Sequence, residues 1–380
     1  MHKLSKHAER LLRIVESFPK ITVTVLADLV ADEFIFGEIS RVSREAPVLI
    51  LKHSERMIVP GGGANAVYNL ADLGVTVLPV GVVGDDESGR ALLDRFRKKK
   101  IALSGILRLK AHATVTKTRI LAGHTHTQRQ QVVRVDRESA ELPDADVRRR
   151  LAALAREYAE ASDALLISDY GYGAATPEML TAIRVKRALE GIPITLDSRY
   201  RLLAYSGVTA ATPNQPEVEE ALGTKIGSDD ERLRAAGKTL LQRMKLSSLL
   251  ITRGRHGMVA FERGRKPVEI SIFGSDQVVD VTGAGDTVIA AFTAALAAGS
   301  STEEAARIAN YAGGMVVMKR GTATVTREEL LNAITLASKF HVSACRRGKT
   351  AFKCLLTRCL TAPPFANELR SGGAPASASF

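Results

Sequence analysis

The sequence predicts an α/β fold, a mostly parallel sheet with helices on both faces and a small β lid. Three observations lead there. Short β-branched runs alternate with helical segments along most of the 380 residues, the pattern of repeated βαβ units. The strand-like runs end at an acid or a glycine, and the carboxyl ends of strands are where open parallel sheets bind ligands. Two β-rich stretches, 34–59 and 114–135, break the alternation.

An amphipathic helix with Leu11, Leu12, Ile14, Val15 and Phe18 comes first. Residues 21–27 follow as a buried strand, with Asp28 and Asp32 just beyond it. Segments 34–36, 48–52 and 56–59 read as two or three short strands inserted at that point. Pro60-Gly-Gly-Gly-Ala-Asn65 then opens a helix over 64–73. A strand over 75–83 closes on Gly84-Asp85-Asp86 and leads into a helix over 87–99. Segments 114–122 and 130–135 alternate polar with apolar, as a half-exposed sheet does. With the first insertion they make a lid over the sheet edge.

Regular alternation then resumes. A helix over 144–161 precedes a strand over 164–168, which ends at Asp169-Tyr-Gly. A helix over 176–190 precedes a strand over 192–196, which ends at Asp197. Thr212-Pro-Asn214-Gln-Pro-Glu217 opens the next helix, and another covers 230–245. A strand over 249–252 ends at Arg253-Gly254, and helices over 285–298 and 302–318 follow. No long linker interrupts this, so residues 1–340 read as one domain with its lid.

Composition narrows the function. Hydrophobic residues make up 45% of the chain, ample for a core. No apolar run reaches the ~20 residues of a membrane span. Lys3, Lys6, Glu9, Arg10 and Arg13 leave no apolar signal-peptide region, so a cytoplasmic protein is expected. The net charge of +12 raises the question of nucleic acid. Only 5% of residues are aromatic and no aromatic-interleaved basic stripe exists, so no nucleic-acid partner is expected.

Part of the charge sits in a basic tail, 341–380, with Arg346, Arg347, Lys349, Lys353, Arg358 and Arg370 against Glu368. All three cysteines, Cys345, Cys354 and Cys359, lie there without a C-x2-C pair, so no zinc site is expected. The tail becomes rich in Gly, Ala, Ser and Pro from Gly372, and disorder is expected.

The most informative motif is Asp280-Val-Thr-Gly-Ala-Gly-Asp-Thr287, running into an Ala-rich helix. Unpaired N–H groups at a helix N-terminus bind anions, and glycines let a phosphate approach the backbone. An acid beside such a cradle can take a proton from a hydroxyl. Base plus cradle is what phosphoryl transfer to an alcohol needs. The plainer alternative is a tight turn whose Asp caps the helix. No Gly-Lys-Ser/Thr follows, so it is not a P-loop, and Asp286 and Thr287 exclude a dinucleotide-type third glycine.

Other constellations are each open to a structural reading. The triple glycine with Asn65, and Asp28 with Asp32, suit a polyol or serve as turn and cap. Asn214 and Glu217, three apart, suit a hydrated Mg²⁺ or form a capping box. Thr252-Arg-Gly-Arg-His-Gly257 suits phosphates or is an ordinary turn. Arg119, Arg129 and Arg134 accompany the second β-rich stretch, where charges usually line a solvated face.

In this order the motifs resemble the PfkB/ribokinase carbohydrate kinase family over roughly residues 10–335. They are Gly-Gly-x-x-Asn, Thr-Pro-Asn-x-x-Glu, Thr-x-Gly-x-x-Gly and Asp-x-Thr-Gly-Ala-Gly-Asp-Thr, with Lys319-Arg-Gly321-Thr-Ala-Thr-Val325 after them. Within the family the likeness is to the kinase domain of heptose-7-phosphate kinase / heptose-1-phosphate adenylyltransferase proteins. It rests on Ser40–Val48, Pro60–Asn65, Lys117-Thr-Arg119 and the run from Gln131 through Arg134 and Asp136 to Glu138.

The resemblance implies a ribokinase-like three-layer fold and ATP-dependent phosphorylation of a sugar or sugar phosphate. It implies Asp286 as base, with the N–H groups of Gly283, Ala284 and Gly285 as the anion hole. Asn214 and Glu217 would order Mg²⁺ and phosphates. Thr252, Gly254, Gly257, Thr282 and Asn310 would line the ATP site, with a monovalent cation as a further candidate. Asp28, Asp32, Gly62, Asn65, Arg119 and Arg134 would hold the sugar, and the lid would pair two subunits. A sugar or nucleotide sensor on the same fold is the alternative. Two departures stand out: Gly-Asp at the first strand is Ala27-Asp28, and Asp-Tyr-x-Lys-Gly is Asp169-Tyr-Gly-Tyr172-Gly173, without its lysine.

Overall fold

The computed structural model describes residues 4–123, 129–138, 144–184, 189–274, 280–319 and 321–344. Helix α1 (Lys6–Glu16) is followed by strands β1 (Thr22–Ala27), β2 (Leu29–Val42) and β3 (Leu49–Gly62). Then come α2 (Gly63–Asp72), β4 (Thr76–Gly84), α3 (Glu87–Lys98), β5 (Ile106–Leu109), β6 (Thr116–Gly123) and β7 (Gln130–Arg137). The middle of the chain forms α4 (Ala145–Glu160), β8 (Ala164–Asp169), α5 (Pro177–Ile183), β9 (Ile194–Ser198) and β10 (Ala210–Ala211). It continues through α6 (Gln215–Leu222), α7 (Asp230–Arg243), β11 (Ser248–Thr252), β12 (Met258–Glu262) and β13 (Val268–Ile270). Helices α8 (Ala284–Ala297), α9 (Thr302–Val316) and α10 (Arg327–Ala344) follow.

Nine strands form one sheet in the order β13-β12-β11-β10-β9-β8-β1-β4-β5, parallel from β11 to β5 and antiparallel at β12 and β13. The two-residue period of a strand explains why β8 is a continuous apolar run. Ala164 and Leu166 face one core layer, Leu165 and Ile167 the other. One layer takes Leu11, Leu70, Leu92, Phe292, Ile308 and Leu330 from α1, α2, α3, α8, α9 and α10. The other takes Leu151, Leu180, Val218 and Leu240 from α4–α7. Each such side chain contributes about 1.5–3 kcal/mol by leaving water. This is the three-layer arrangement expected from the sequence.

The lid is a separate four-stranded sheet, β3-β2-β6-β7. Its first part is one long hairpin and not two or three short strands. Leu29 pairs with Gly62 at one end and Val42 with Leu49 at the other, with register shifts at Phe36/Gly37 and Ile39/Arg41. The polar residues His53, Ser54 and Glu55 looked like a break between strands. All three are exposed, on both faces of β3, and pairing there is carried by the backbone. The helix expected over 176–190 is described only as Pro177–Ile183, since 185–188 lie outside the described residues. Helix α10 passes the expected boundary at 340 and reaches Ala344; of the tail, 345–380 lies outside the described residues. Among the described residues no helix is long and apolar enough to cross a membrane.

Candidate active site

Gly283 caps the N-terminus of helix α8, and its φ of 76° is left-handed. A Cβ there would also stand 2.5 Å from Asn65 Nδ2, so only glycine lets the turn close on α2. This turn delivers Asp286 into the interior, 3% exposed. Asn65 Nδ2 donates to Asp286 Oδ2 at 2.9 Å, and the Tyr170 hydroxyl donates to Oδ1 at 2.7 Å. Burial pushes the Asp286 carboxyl up to about 7. The two donors oppose the rise, while the Asp32 charge adds to it. A carboxyl in this range suits a general base at neutral pH.

Asn65 is itself held. Asn69 Nδ2 donates to Asn65 Oδ1 at 3.1 Å, and Thr287 Oγ1 donates to Asn69 Oδ1 at 2.9 Å. The run Thr287–Asn69–Asn65–Asp286–Tyr170 is therefore a buried polar string in which each member has a partner. Asn65 was expected on the sugar; the structure puts its amide on the base. Tyr170 was not singled out as a functional side chain, although the strand-ending Asp169-Tyr-Gly was in view.

The anion cradle differs from expectation in one member. The Ala284 N–H donates to Val281 O at 3.2 Å, so it is spent on the turn. Among the described residues the N–H groups of Gly283 and Gly285 have no acceptor, and open space surrounds Gly285 where a side chain would be. Thr282 N–H donates to Asp280 Oδ1 at 2.9 Å, and Gly321 N–H donates to Asp280 Oδ2 at 3.0 Å. Asp280 thereby ties the loop before α8 to the segment before α10.

Asp28 is the clearest correction. Its Oδ2 accepts the N–H of Tyr170 and of Tyr172, both at 2.9 Å. Its Oδ1 accepts Ala174 N–H at 2.8 Å and Ala175 N–H at 3.2 Å. A carboxylate 2% exposed and bound four times by backbone has nothing left for a sugar hydroxyl. It fastens the loop after β8. Asp32, four residues further along in β2, is the one near enough to Asp286 to raise its proton affinity. Arg119 Nη1 donates to Asp32 Oδ1 at 2.7 Å, and a side chain on Gly61 would collide with the Asp32 carboxylate. Arg134 lies opposite Arg119 across β6 and β7 and pairs with Asp136 at 2.9 Å. Gly62 caps α2 beside Val30 and Tyr170.

On the other side, Asn214 and Glu217 do form a capping box at the start of α6. That uses Asn214 Oδ1 and Glu217 Oε2 and leaves the amide nitrogen and Oε1. A backbone bridge joins Asn214 to Thr252, bringing the loops before α6 and after β11 together. Gly254 is open to its surroundings, while Gly257 lies against the backbone of Ile270. Asn310 on α9 donates to Ser271 O at 2.9 Å.

Asp197, at the end of β9, escaped the list of site residues. Its signal was visible, since its strand ends there as others end at functional acids. The carboxyl is raised well above its ordinary value by burial and by the charges of Glu217, Asp286 and Asp169. Glu217 is also raised, chiefly by burial. Among the described residues neither carboxylate has an ion-pair partner, though Arg199 lies near enough to oppose both shifts. No cluster of three or more metal-binding side chains is preassembled among the described residues.

Comparison with known proteins fits this geometry. The model of the pfkB family carbohydrate kinases matches residues 29–329. The bifunctional protein HldE of Pelobacter propionicus is 40% identical over 314 residues, covering 82% of this chain and 63% of that protein. The one from Geobacter sulfurreducens is 39% identical over 315 residues, covering 83% and 63%. The chain thus spans about 63% of the length of these curated relatives. Ribokinase of Arabidopsis thaliana, solved with ribose and ATP, superimposes with a TM-score of 0.63 at 21% identity, covering 83% of this chain and 98% of that one. Phosphofructokinase-2 of Escherichia coli, solved with substrates and products, gives 0.65 at 18% identity, covering 84% and 99%. These two likenesses concern the fold. The chain belongs to the pfkB family of carbohydrate kinases, as its motifs implied.

Proposed function

We propose that this carbohydrate kinase transfers the γ-phosphoryl group of ATP to a hydroxyl of a phosphorylated sugar of the heptose 7-phosphate kind. The observation that carries the reading is Asp286, buried at the mouth of α8 beside unpaired glycine amides with its carboxyl near 7. Asp286 takes the proton of the sugar hydroxyl as its oxygen attacks the γ-phosphorus, and ADP leaves. The amides of Gly283 and Gly285 receive the charge that develops on the transferred group.

Asp197 and Glu217 fit Mg²⁺. They are oxygen donors without a cation partner among the described residues, burial raises the proton affinity of both, and the charge of Glu217 adds to the rise at Asp197. Mg²⁺ favours one or two carboxylates plus phosphate and water. The ion would neutralise phosphate charge there. A monovalent cation is part of the same reading. An enzyme that consumes ATP fits the cytoplasm.

The phosphate of the sugar has a candidate cation although the expected lysine is Tyr172. Lys117 Nζ lies 5.5 Å from the centre of the Tyr172 ring, and its nearest acid, Asp136, is 3.9 Å away. Burial lowers its proton affinity, Asp136 opposes the drop, and the charges of Arg199 and Arg134 add to it. Two subunits joined through the lid belong to the proposal as well. Among the described residues, Val42, Val48, Leu49, Val132, Val133 and Val135 are large apolar residues exposed on or beside lid strands.

The test is Mg·ATP-dependent ADP release against free and phosphorylated sugars, including heptose 7-phosphate, fructose phosphates and ribose. Release with a sugar phosphate that vanishes in Asp286→Asn supports the reading. Silence across the panel, with ligand binding intact, supports the sensor instead.

A further inference from the structure

We infer that Tyr170 is a positioning residue for the base, holding one oxygen of Asp286 while Asn65 holds the other. The inference rests on the kinase reading and deepens it.

The mount under Tyr170 is unusually well built. On one side Asp28 binds the N–H groups of Tyr170, Tyr172, Ala174 and Ala175. On the other, Asp169, 1% exposed, is fixed by its neighbours. Ser198 Oγ donates to its Oδ2 at 2.8 Å and the Tyr205 hydroxyl at 3.0 Å. Arg201 forks onto both oxygens at 3.1 and 2.5 Å, and Gly171 N–H donates to Oδ1 at 2.9 Å. Two buried carboxylates thus lock the backbone on both sides of one tyrosine. The only functional group this loop sends to Asp286 is the phenol, at 2.7 Å.

A phenol in that place is a fixed donor. Burial and the neighbouring carboxylates hold its proton far above the working range, so it donates at every relevant pH. A donor to the ionised form favours that form. Each carboxylate oxygen has two acceptor sites, so the substrate hydroxyl can still reach Asp286 without displacing Tyr170. The charges that face Asp286 from packed elements are Asp32, paired with Arg119, and Asp197, opposed by Arg199. None of these is a hydrogen-bond donor to Asp286 among the described residues. Tyr170 and Asn65 are therefore the groups that counter its burial.

The experiment is the pH profile of kcat/KM for the full chain, its Tyr170→Phe variant and Asp286→Asn. In wild type the acid limb falls near pH 7. In Tyr170→Phe it moves up by about one unit, and turnover partly recovers at high pH. The KM for ATP stays unchanged. A second readout does not need activity. Carbon-13-labelled Asp carboxyls give one resonance absent in Asp286→Asn, and its midpoint shifts upward by the same amount in Tyr170→Phe. A uniform rate loss with an unmoved midpoint overturns the inference. So does a faster Tyr170→Phe with a lower sugar KM, which would mean that the phenol merely blocks the base. Absence of any Asp286-dependent ADP release in wild type fails the kinase reading instead, and the resonance then still tests the contact.

Discussion

The two halves of the site are finished to different degrees. On the base side, Asp286, Asn65, Asn69, Thr287 and Tyr170 bond to one another, and Asp28 is saturated by backbone. On the phosphate side, the charge of Glu217 raises the Asp197 carboxyl, and among the described residues the amides of Gly283 and Gly285 have no acceptor. The protein itself completes the groups that must not move when a proton is transferred. It leaves incomplete the groups that a charged ligand will complete. Buried carboxylates of one chemical type are thereby divided into fasteners and ligands by their partners alone.

The largest effect expected is on the base. Asp286→Asn lowers kcat by about 10³-fold, within the range for losing a positioned base, measured by ADP release at saturating substrates. The same variant tests the sign of its titration. A carboxyl raised in the folded state binds its proton more tightly there than in the unfolded chain. Its contribution to stability therefore falls as pH rises from about 4 to about 7. Asp286→Asn flattens that slope in thermal melts. A slope equal to that of wild type would remove the raised carboxyl from the account.

Next in size is a contrast between two aspartates. Asp28→Ala orphans four backbone donors in the interior, at roughly 1–3 kcal/mol each and not additively. A loss of at least about 3 kcal/mol in denaturant melts is expected. Asp197→Asn has the opposite sign. The wild-type carboxyl is raised by burial and by its acidic neighbours, so its ionised form costs stability above its unfolded value. The variant melts higher at pH 8 without ligands and needs about tenfold more Mg²⁺ for half-maximal rate. If both variants destabilise the apo protein alike, the division into fasteners and ligands fails.

How much of this the sequence carried follows the same division. The ordered motifs and the strand ends singled out Asp286, Asn65, Asp32, Asn214 and Glu217 as site candidates, because strand period and loop position are local properties. Partnership is not local. Asp28 and Asp32 looked alike in sequence, four residues apart after one strand. The structure separates them because the loop after β8 returns over Asp28 from 142 residues away. Tyr170 was missed for the same reason: its contact with Asp286 spans 116 residues. Ala284 dropped out of the cradle through a turn bond to Val281 that the motif does not encode. The long hairpin β2–β3 was read as fragments because exposed strands tolerate polar runs.

The smallest effect concerns the place where the finished side meets the lid. Tyr172 donates its hydroxyl to Glu138 at 2.8 Å, and Lys117 stands beside its ring with Asp136 at 3.9 Å. By the criterion of partners, Lys117 belongs to the half that a ligand completes. Tyr172→Lys restores the lysine of the resembling proteins, yet it sets a second cation beside the first and removes the link to Glu138. Like charges in a half-buried place oppose each other, so the gain for an anionic substrate is largely cancelled. The KM for a phosphorylated sugar is expected to change less than about threefold, whereas Lys117→Met raises it about tenfold, the scale of one lost hydrogen bond to a charged group. A large improvement in Tyr172→Lys, with Lys117→Met neutral, would show that the cation of this site is missing and that the natural substrate carries no phosphate there.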